Sequence, residues 1–154
     1  MDVLISGASI AGPVTAYWLH RAGFRVTVVE RSPRLRVAGG HAVDLFTPAM
    51  GIIEAMGLLD AVRARATGTE QMVIRPVTSR RGVSVDMSRL MGALSDRHVE
   101  IMRDDLGAIL HDATRHDVEY VFGDRVVAMD ADGVTAASLR RALAADPVAV
   151  VLQP

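Results

Sequence analysis

The chain contains no cysteine. That excludes disulfides, thiolate nucleophiles, cysteine-ligated zinc and any cofactor attached through sulfur, and it fits a reducing cytoplasm. An excess of one charge is also missing, with 17 basic residues, all of them arginine, against 18 aspartates and glutamates, and the basic residues are spread along the chain. Phosphate-backbone binding needs a basic stripe, so nucleic acid is not an expected partner. The five histidines, His20, His41, His98, His111 and His116, lack metal-ligand spacing, and no metal site is expected. The first apolar run, Val3–Ile5, is far too short for a signal-peptide core or a membrane span, so neither is expected.

What remains is the composition of an ordinary globular protein: 154 residues, half of them apolar, with no internal repeat or low-complexity tract. That length suits one domain with a real core. The slightly positive mean hydropathy points to a covered parallel sheet or to apolar surface that a second chain or a second copy hides.

The opening stretch is the most informative. Asp2–Ser6 reads as a short buried strand, and the small residues from Gly7 to Gly12 lead into a helix ending near Ala22, with Gly23 as its cap. Val14, Tyr17 and Trp18 recur at helical spacing and are expected to pack. Phe24–Val29 is a β-branched run, so strand, tight turn, helix and strand follow one another within about 30 residues. This is a βαβ unit with parallel strands and a right-handed crossover.

Downstream, Arg31–Ala42 reads as a loop, Val43–Phe46 as a strand, and Thr47-Pro48 as a helix start with Thr47 as side-chain cap and Gly57 as terminator. Leu58–Ala66 reads as a short helix, Gln71–Pro76 as a strand, Asp86–Leu94 as a helix and Val99–Met102 as a strand. A helix follows through Leu106, Ile109 and Leu110, with Asp104 and Asp105 as charges at its start. Val118–Phe122 and Arg125–Met129, joined by Gly123-Asp124, read as an antiparallel hairpin.

Gly7-Ala8-Ser9-Ile10-Ala11-Gly12 fits the dinucleotide fingerprint G-x-G-x-x-G with Ser9 at the middle glycine. In such a turn the first glycine makes the bend, the middle one lets a pyrophosphate approach the backbone, and the last lets helix and strand pack closely. Phosphate is then held at the positive end of the helix. Glu30 lies 18 residues beyond Gly12 at the tip of the second strand, where an acid accepts hydrogen bonds from an adenosine ribose. These residues predict a bound ADP moiety, and Glu30 permits either FAD or NAD.

The same stretch resembles the FAD-dependent aromatic hydroxylases and monooxygenases, the group A flavoprotein monooxygenases. The resemblance lies in "GASIAGPVTAYWLHRAGFRVTVVER", continues through "GGHAVDLFTPAMGIIEAMGLLDAV" and resumes at "EIMRDDLGAILHDA" and "VEYVFGD". It implies an α/β fold, a Rossmann-like βαβ FAD-binding domain, with residues 1–134 as that domain and 135–154 as a divergent tail. By the same resemblance FAD is held by Gly7, Ser9, Ile10, Ala11 and Gly12 at the pyrophosphate turn, Glu30 at the ribose and Arg31 beside the adenine. Gly40, Val43 and Asp44 match the loop near the flavin end, and Arg103 matches an arginine that reaches the cofactor. The implied reaction uses NAD(P)H to reduce FAD and O2 to hydroxylate an aromatic or polyketide-like small molecule.

Members of that family are considerably longer. They continue with a strand ending in Gly-Ala-Asp-Gly, a substrate-covering sheet and a Gly-Asp motif that contacts the flavin side chain. Either Ala131–Val134, with Ser138 and Arg140-Arg141 behind it, corresponds to the first of these motifs after an internal deletion before Asp130, or Asp130–Gly133 forms a surface turn between two strands, and the turn is the preferred reading. The fold is therefore expected to be incomplete relative to the family. The alternatives are a non-catalytic nucleotide-binding fragment or subunit that needs a partner chain, or an NAD-binding oxidoreductase.

Overall fold

Val3, Leu4 and Ile5 are all buried, so β1 (Asp2–Ser6) is covered on both faces, as a strand inside a parallel sheet must be. In the computed structural model, which describes residues 1–36, 39–77, 81–130, 133–136 and 149–152, this strand leads through residues 7–10 into α1 (Ala11–Arg21). The chain then turns at Gly23, whose φ is +88°, into β2 (Arg25–Glu30), which pairs with β1 in parallel from Asp2↔Arg25 to Ser6↔Val29. Strand, helix and parallel strand are therefore present in the order read.

Next in chain order come β3 (Ala42–Leu45), α2 (Thr47–Ala55), α3 (Leu59–Arg63), β4 (Gln71–Ile74), β5 (Val83–Asp86), α4 (Met87–Leu94) and β6 (Val99–Met102). They are followed by α5 (Arg103–Asp112), β7 (Glu119–Phe122), β8 (Val126–Asp130), β9 (Gly133–Ala136) and β10 (Ala149–Leu152). The main sheet has the order β10-β1-β2-β7 with every pairing parallel. The order reverses direction at β1, and ligands of open α/β sheets bind at such a switch point, outside the carboxyl ends of the strands. Gly7 leaves β1 at that end.

The chain divides into two compact units, one of Met1–Gly39 with Leu106–Pro154 and one of Gly40–Asp105. In the first, Val3, Ile5, Val26 and Val28 pack with Ala8, Ala16 and Val118, and Leu19, Phe24, Tyr120 and Phe122 close the margin. The buried side of α1 is made of small residues, Gly12, Pro13 and Ala16, while Trp18 is 40% exposed. This corrects the expected apolar stripe. Close approach of helix to sheet requires little bulk between them, so the larger residues are displaced to the rim. In the second unit β3 and β6 form an antiparallel ladder, as do β4 and β5. Met50, Ile53, Met56, Val62 and Ile101 are buried there.

Three further expectations are corrected. The hairpin read across Gly123-Asp124 is not formed: β7 pairs in parallel with β2, and β8 pairs with β9. Backbone bonds explain the difference, because Gly123 N donates to Ser32 O and Asp124 N to Glu30 O, which continues the attachment to β2 instead of folding β8 back. Thr47 is not the cap of α2; Phe46 holds that position, and the Thr47 hydroxyl bonds to Ser95 Oγ at 2.8 Å. The helix read from Asp86 begins at Met87, with Asp86 accepting a bond from Arg89 N as the cap, and β5 precedes it. Asp130 and Gly133 pair across the β8–β9 ladder, as the preferred turn reading requires, whereas Ser138, Arg140 and Arg141 lie outside the described residues. Among the described residues no helix is long and apolar enough to cross a membrane.

Candidate functional site

Two glycines shape the turn after β1. Gly7 has φ +103°, a conformation that a side chain strains, and its N–H donates to Val29 O at 2.7 Å, which ties the bend to β2. Gly12 is the second residue of α1, where an added Cβ would lie 1.9 Å from Gly7 O. No side chain can occupy that space while the turn keeps its shape. Close contact between the strand end and the helix start is therefore built into the sequence at these two positions.

The start of α1 is suited to an anion. Its capping residue is Ile10, no side chain caps it, and its first turn contains no acid. Helix starts leave N–H groups without intrahelical acceptors, and the helix dipole adds positive potential there. Pro13, buried in the first turn, brings no N–H of its own, so the donors at this end belong to residues before it. Ala11 is exposed and Ser9 and Ile10 are half-buried. A diphosphate matches this arrangement in charge and in size of approach.

Glu30 is turned toward the same turn. Its Oε2 accepts from Ala8 N at 2.8 Å and its Oε1 accepts from Ser32 N at 2.8 Å. Burial pushes a carboxyl group up, but the Ala8 and Ser32 hydrogen bonds and the neighbouring Arg31 charge outweigh it and hold Glu30 below its ordinary value. Each carboxylate oxygen keeps a second lone pair, so sugar hydroxyls find acceptors without breaking either bond. The group is ionised at neutral pH and fixed in place, as a ribose acceptor must be.

Linkage gives this a measurable sign. A carboxylate whose pKa is depressed by folding contributes stability that is present above its unfolded value and lost as pH falls through the folded one. The stability difference between wild type and Glu30→Gln, read by urea unfolding, is expected to be greatest at neutral pH and to vanish once Glu30 protonates. A difference independent of pH would contradict this role.

The remaining expected residues lie in the second unit, apart from Arg31, which follows Glu30 and is exposed. The β3–β6 ladder brings four of them near one another in sequence register. Gly40 N donates to Asp104 Oδ2 at 2.7 Å, and a Cβ on Gly40 would meet that carboxylate at 2.7 Å. Arg103 N donates to His41 O at 2.9 Å, and Arg103 is exposed. Val43 pairs with Ile101 and Asp44 with Glu100, so alternation sends Val43 and Asp44 to opposite faces of the ladder. Asp105 pairs with Arg65 at 3.2 Å. Asp104 and His98 are the residues that sequence spacing missed: one clasps the Gly40 loop, and the other bonds to Asp44 at 2.7 Å.

The glycine turn, the uncapped helix start and the oriented acid fit the adenosine diphosphate half of FAD. A family model described as an FAD binding domain matches residues 1–146. The chain belongs to that family. This FAD-binding domain is 38% identical over 135 residues to Uncharacterized protein Rv1260 of Mycobacterium tuberculosis, a match covering 85% of this chain and 35% of that one. It is 44% identical over 127 residues to the flavin-dependent monooxygenase eupH of Phoma sp, covering 79% of this chain and 29% of the relative. Among solved structures it superposes on the tetracycline destructase Tet(51) with TM-score 0.69 and 31% identity, covering 88% of this chain and 34% of that one. The FAD-binding domain thus spans about a third of the length of the curated relatives it matches. Its cofactor is FAD.

Proposed function

We propose that this chain is the FAD-binding part of a flavin-dependent monooxygenase, and that the turn from Gly7 to Gly12 with Glu30 holds the adenosine diphosphate half of the cofactor. The observation that carries the proposal is the bond from Ala8 N to Glu30 Oε2, which joins the phosphate turn to the ribose acid as one unit. Main-chain donors of Ser9, Ile10, Ala11 and Gly12 face the diphosphate charge, and Arg31 lies beside the adenine. Gly40, Val43, Asp44 and Arg103 are proposed as further cofactor-binding residues. When bound, FAD supplies two-electron redox chemistry and oxygen activation, with NAD(P)H as reductant and an aromatic or polyketide-like compound as the substrate hydroxylated. The test is FAD titration of the purified chain followed by visible absorbance. Uptake of FAD with NAD left unbound supports the reading, and preferential binding of NAD would overturn it.

A second observation bears on partners. In the β4–β5 ladder Met72 pairs with Val85 and Ile74 with Val83, so alternation places these four apolar residues on one face, and Met72, Ile74 and Val83 are 43%, 54% and 67% exposed. In α4, Met87, Leu90, Met91 and Leu94 recur at helical spacing, yet none is buried. Two-stranded hairpins are marginal alone, and a run of uncovered apolar residues marks a contact surface. We assign this surface to further polypeptide, whether a partner chain or a second copy. Replacing both Ile74 and Val83 by lysine is expected to weaken association by about tenfold or more in sedimentation experiments, since tenfold corresponds to only ~1.4 kcal/mol. A chain that stays monomeric and partnerless with or without these changes would contradict the assignment.

A further inference from the structure

The outer face of the β3–β6 ladder carries a pair that the glycine turn does not explain. Asp44 pairs in register with Glu100 and Leu45 with Val99, so His98 stands just before β6 on the same face as Asp44 and Glu100. His98 Nε2 lies 2.7 Å from Asp44 Oδ1. An ionised carboxylate only accepts hydrogen bonds, so the imidazole is the donor and its Nε2 carries the proton. The ring also rests against Phe46, with centroids 5.4 Å apart and planes tilted by 36°.

The two partners differ in access. The His98 side chain is 16% exposed and that of Asp44 is 44% exposed. Among the described residues Asp44 makes no other side-chain hydrogen bond, while Glu100 on the same face is engaged with Thr67. A sheltered, ring-packed donor therefore grips one carboxylate oxygen, and the rest of the carboxylate stays open to a ligand.

We propose that His98 is a positioning residue: its Nε2–H fixes the Asp44 carboxylate in one orientation so that its remaining lone pairs accept from a hydroxyl or ring N–H of the cofactor. The inference rests on the reading of Asp44 as a cofactor-binding residue. Its effect is preorganisation: a carboxylate already held in one rotamer loses less freedom when the ligand binds.

The test measures FAD dissociation constants for wild type, His98→Ala, His98→Gln, Asp44→Ala and the double variant, together with the absorbance spectrum of bound flavin and the melting temperature. His98→Ala is expected to weaken FAD binding about three- to tenfold, and His98→Gln to restore most of it, because the glutamine amide supplies a donor at a similar distance. Asp44→Ala is expected to weaken binding at least as much, and the double variant no further, because the two residues act as one unit. The visible bands of bound flavin should shift in both single alanine variants. Lowered melting temperature with unchanged FAD affinity would make His98 a strand pin and overturn the proposal, as would multiplying effects in the double variant. A folded wild type that takes up no FAD would overturn the cofactor assignment itself, a pattern distinct from FAD uptake that His98→Ala leaves untouched.

Discussion

Replacing Gly12 by alanine is expected to destabilise the protein by roughly 3 kcal/mol and to abolish measurable FAD uptake. The new Cβ would sit 1.9 Å from Gly7 O and 3.1 Å from Gly7 C, both backbone atoms that cannot rotate aside. Relief requires moving α1 away from β1 or unbending Gly7, and either change breaks the Gly7 N bond to Val29 O or opens the core around Ala16. A control separates this clash from the ordinary cost of altering a helical glycine. Gly51 in α2 has nothing within 4 Å of an added Cβ, so Gly51→Ala is expected to be neutral or to stabilise by up to about 1 kcal/mol. Urea unfolding of both variants checks the pair; equal behaviour would show that the turn tolerates a side chain.

Replacing Glu30 by alanine is expected to cost about 1.5–3 kcal/mol of stability and to weaken FAD binding by at least tenfold. Two N–H groups lose their acceptor at once, and one of them, on Ala8, belongs to a residue that is 3% exposed. Glu30→Gln retains one oxygen and is expected to fall between wild type and alanine in stability. Its loss of affinity should nevertheless approach that of alanine, because a single amide oxygen occupied by a backbone N–H has less left to offer a sugar. Calorimetric titration with FAD reads the affinities. Affinity unchanged in Glu30→Ala would remove the acid from the site.

The parts legible in the sequence are those where neighbours along the chain are also neighbours in space. The β1 turn, α1 and β2 fall within 30 residues, and each carries its own signature: β-branched runs, small residues at the bend and a terminal acid. Spacing alone also placed Glu30 beside the turn, because parallel pairing puts the ends of β1 and β2 side by side. The resemblance to FAD-dependent hydroxylases extended the reading to FAD rather than NAD, and the family match bears that out.

Where contacts join distant residues, local pattern gave the wrong answer or none. Gly123-Asp124 has the chemistry of a hairpin turn, yet its backbone N–H groups are committed to Ser32 and Glu30, some 90 residues earlier in the chain. Thr47 has the chemistry of a cap, but its hydroxyl is taken by Ser95. The Gly40–Asp104 clasp and the Asp44–His98 pair join residues 64 and 54 positions apart, a separation at which helical and strand periodicity are silent. The misjudged face of α1 has a different origin. Hydrophobic spacing finds large residues, whereas this interface selects for small ones.

In the proposed function the protein grips its cofactor by the adenosine diphosphate half, through the turn from Gly7 to Gly12 and Glu30. The most direct measurement is a parallel titration of the purified chain with FAD, ADP and FMN. FAD and ADP are expected to bind in competition with one another, with FMN weaker than FAD by at least tenfold, which corresponds to ~1.4 kcal/mol. Equal binding of FMN and FAD, or FAD binding that excess ADP does not displace, would contradict the account.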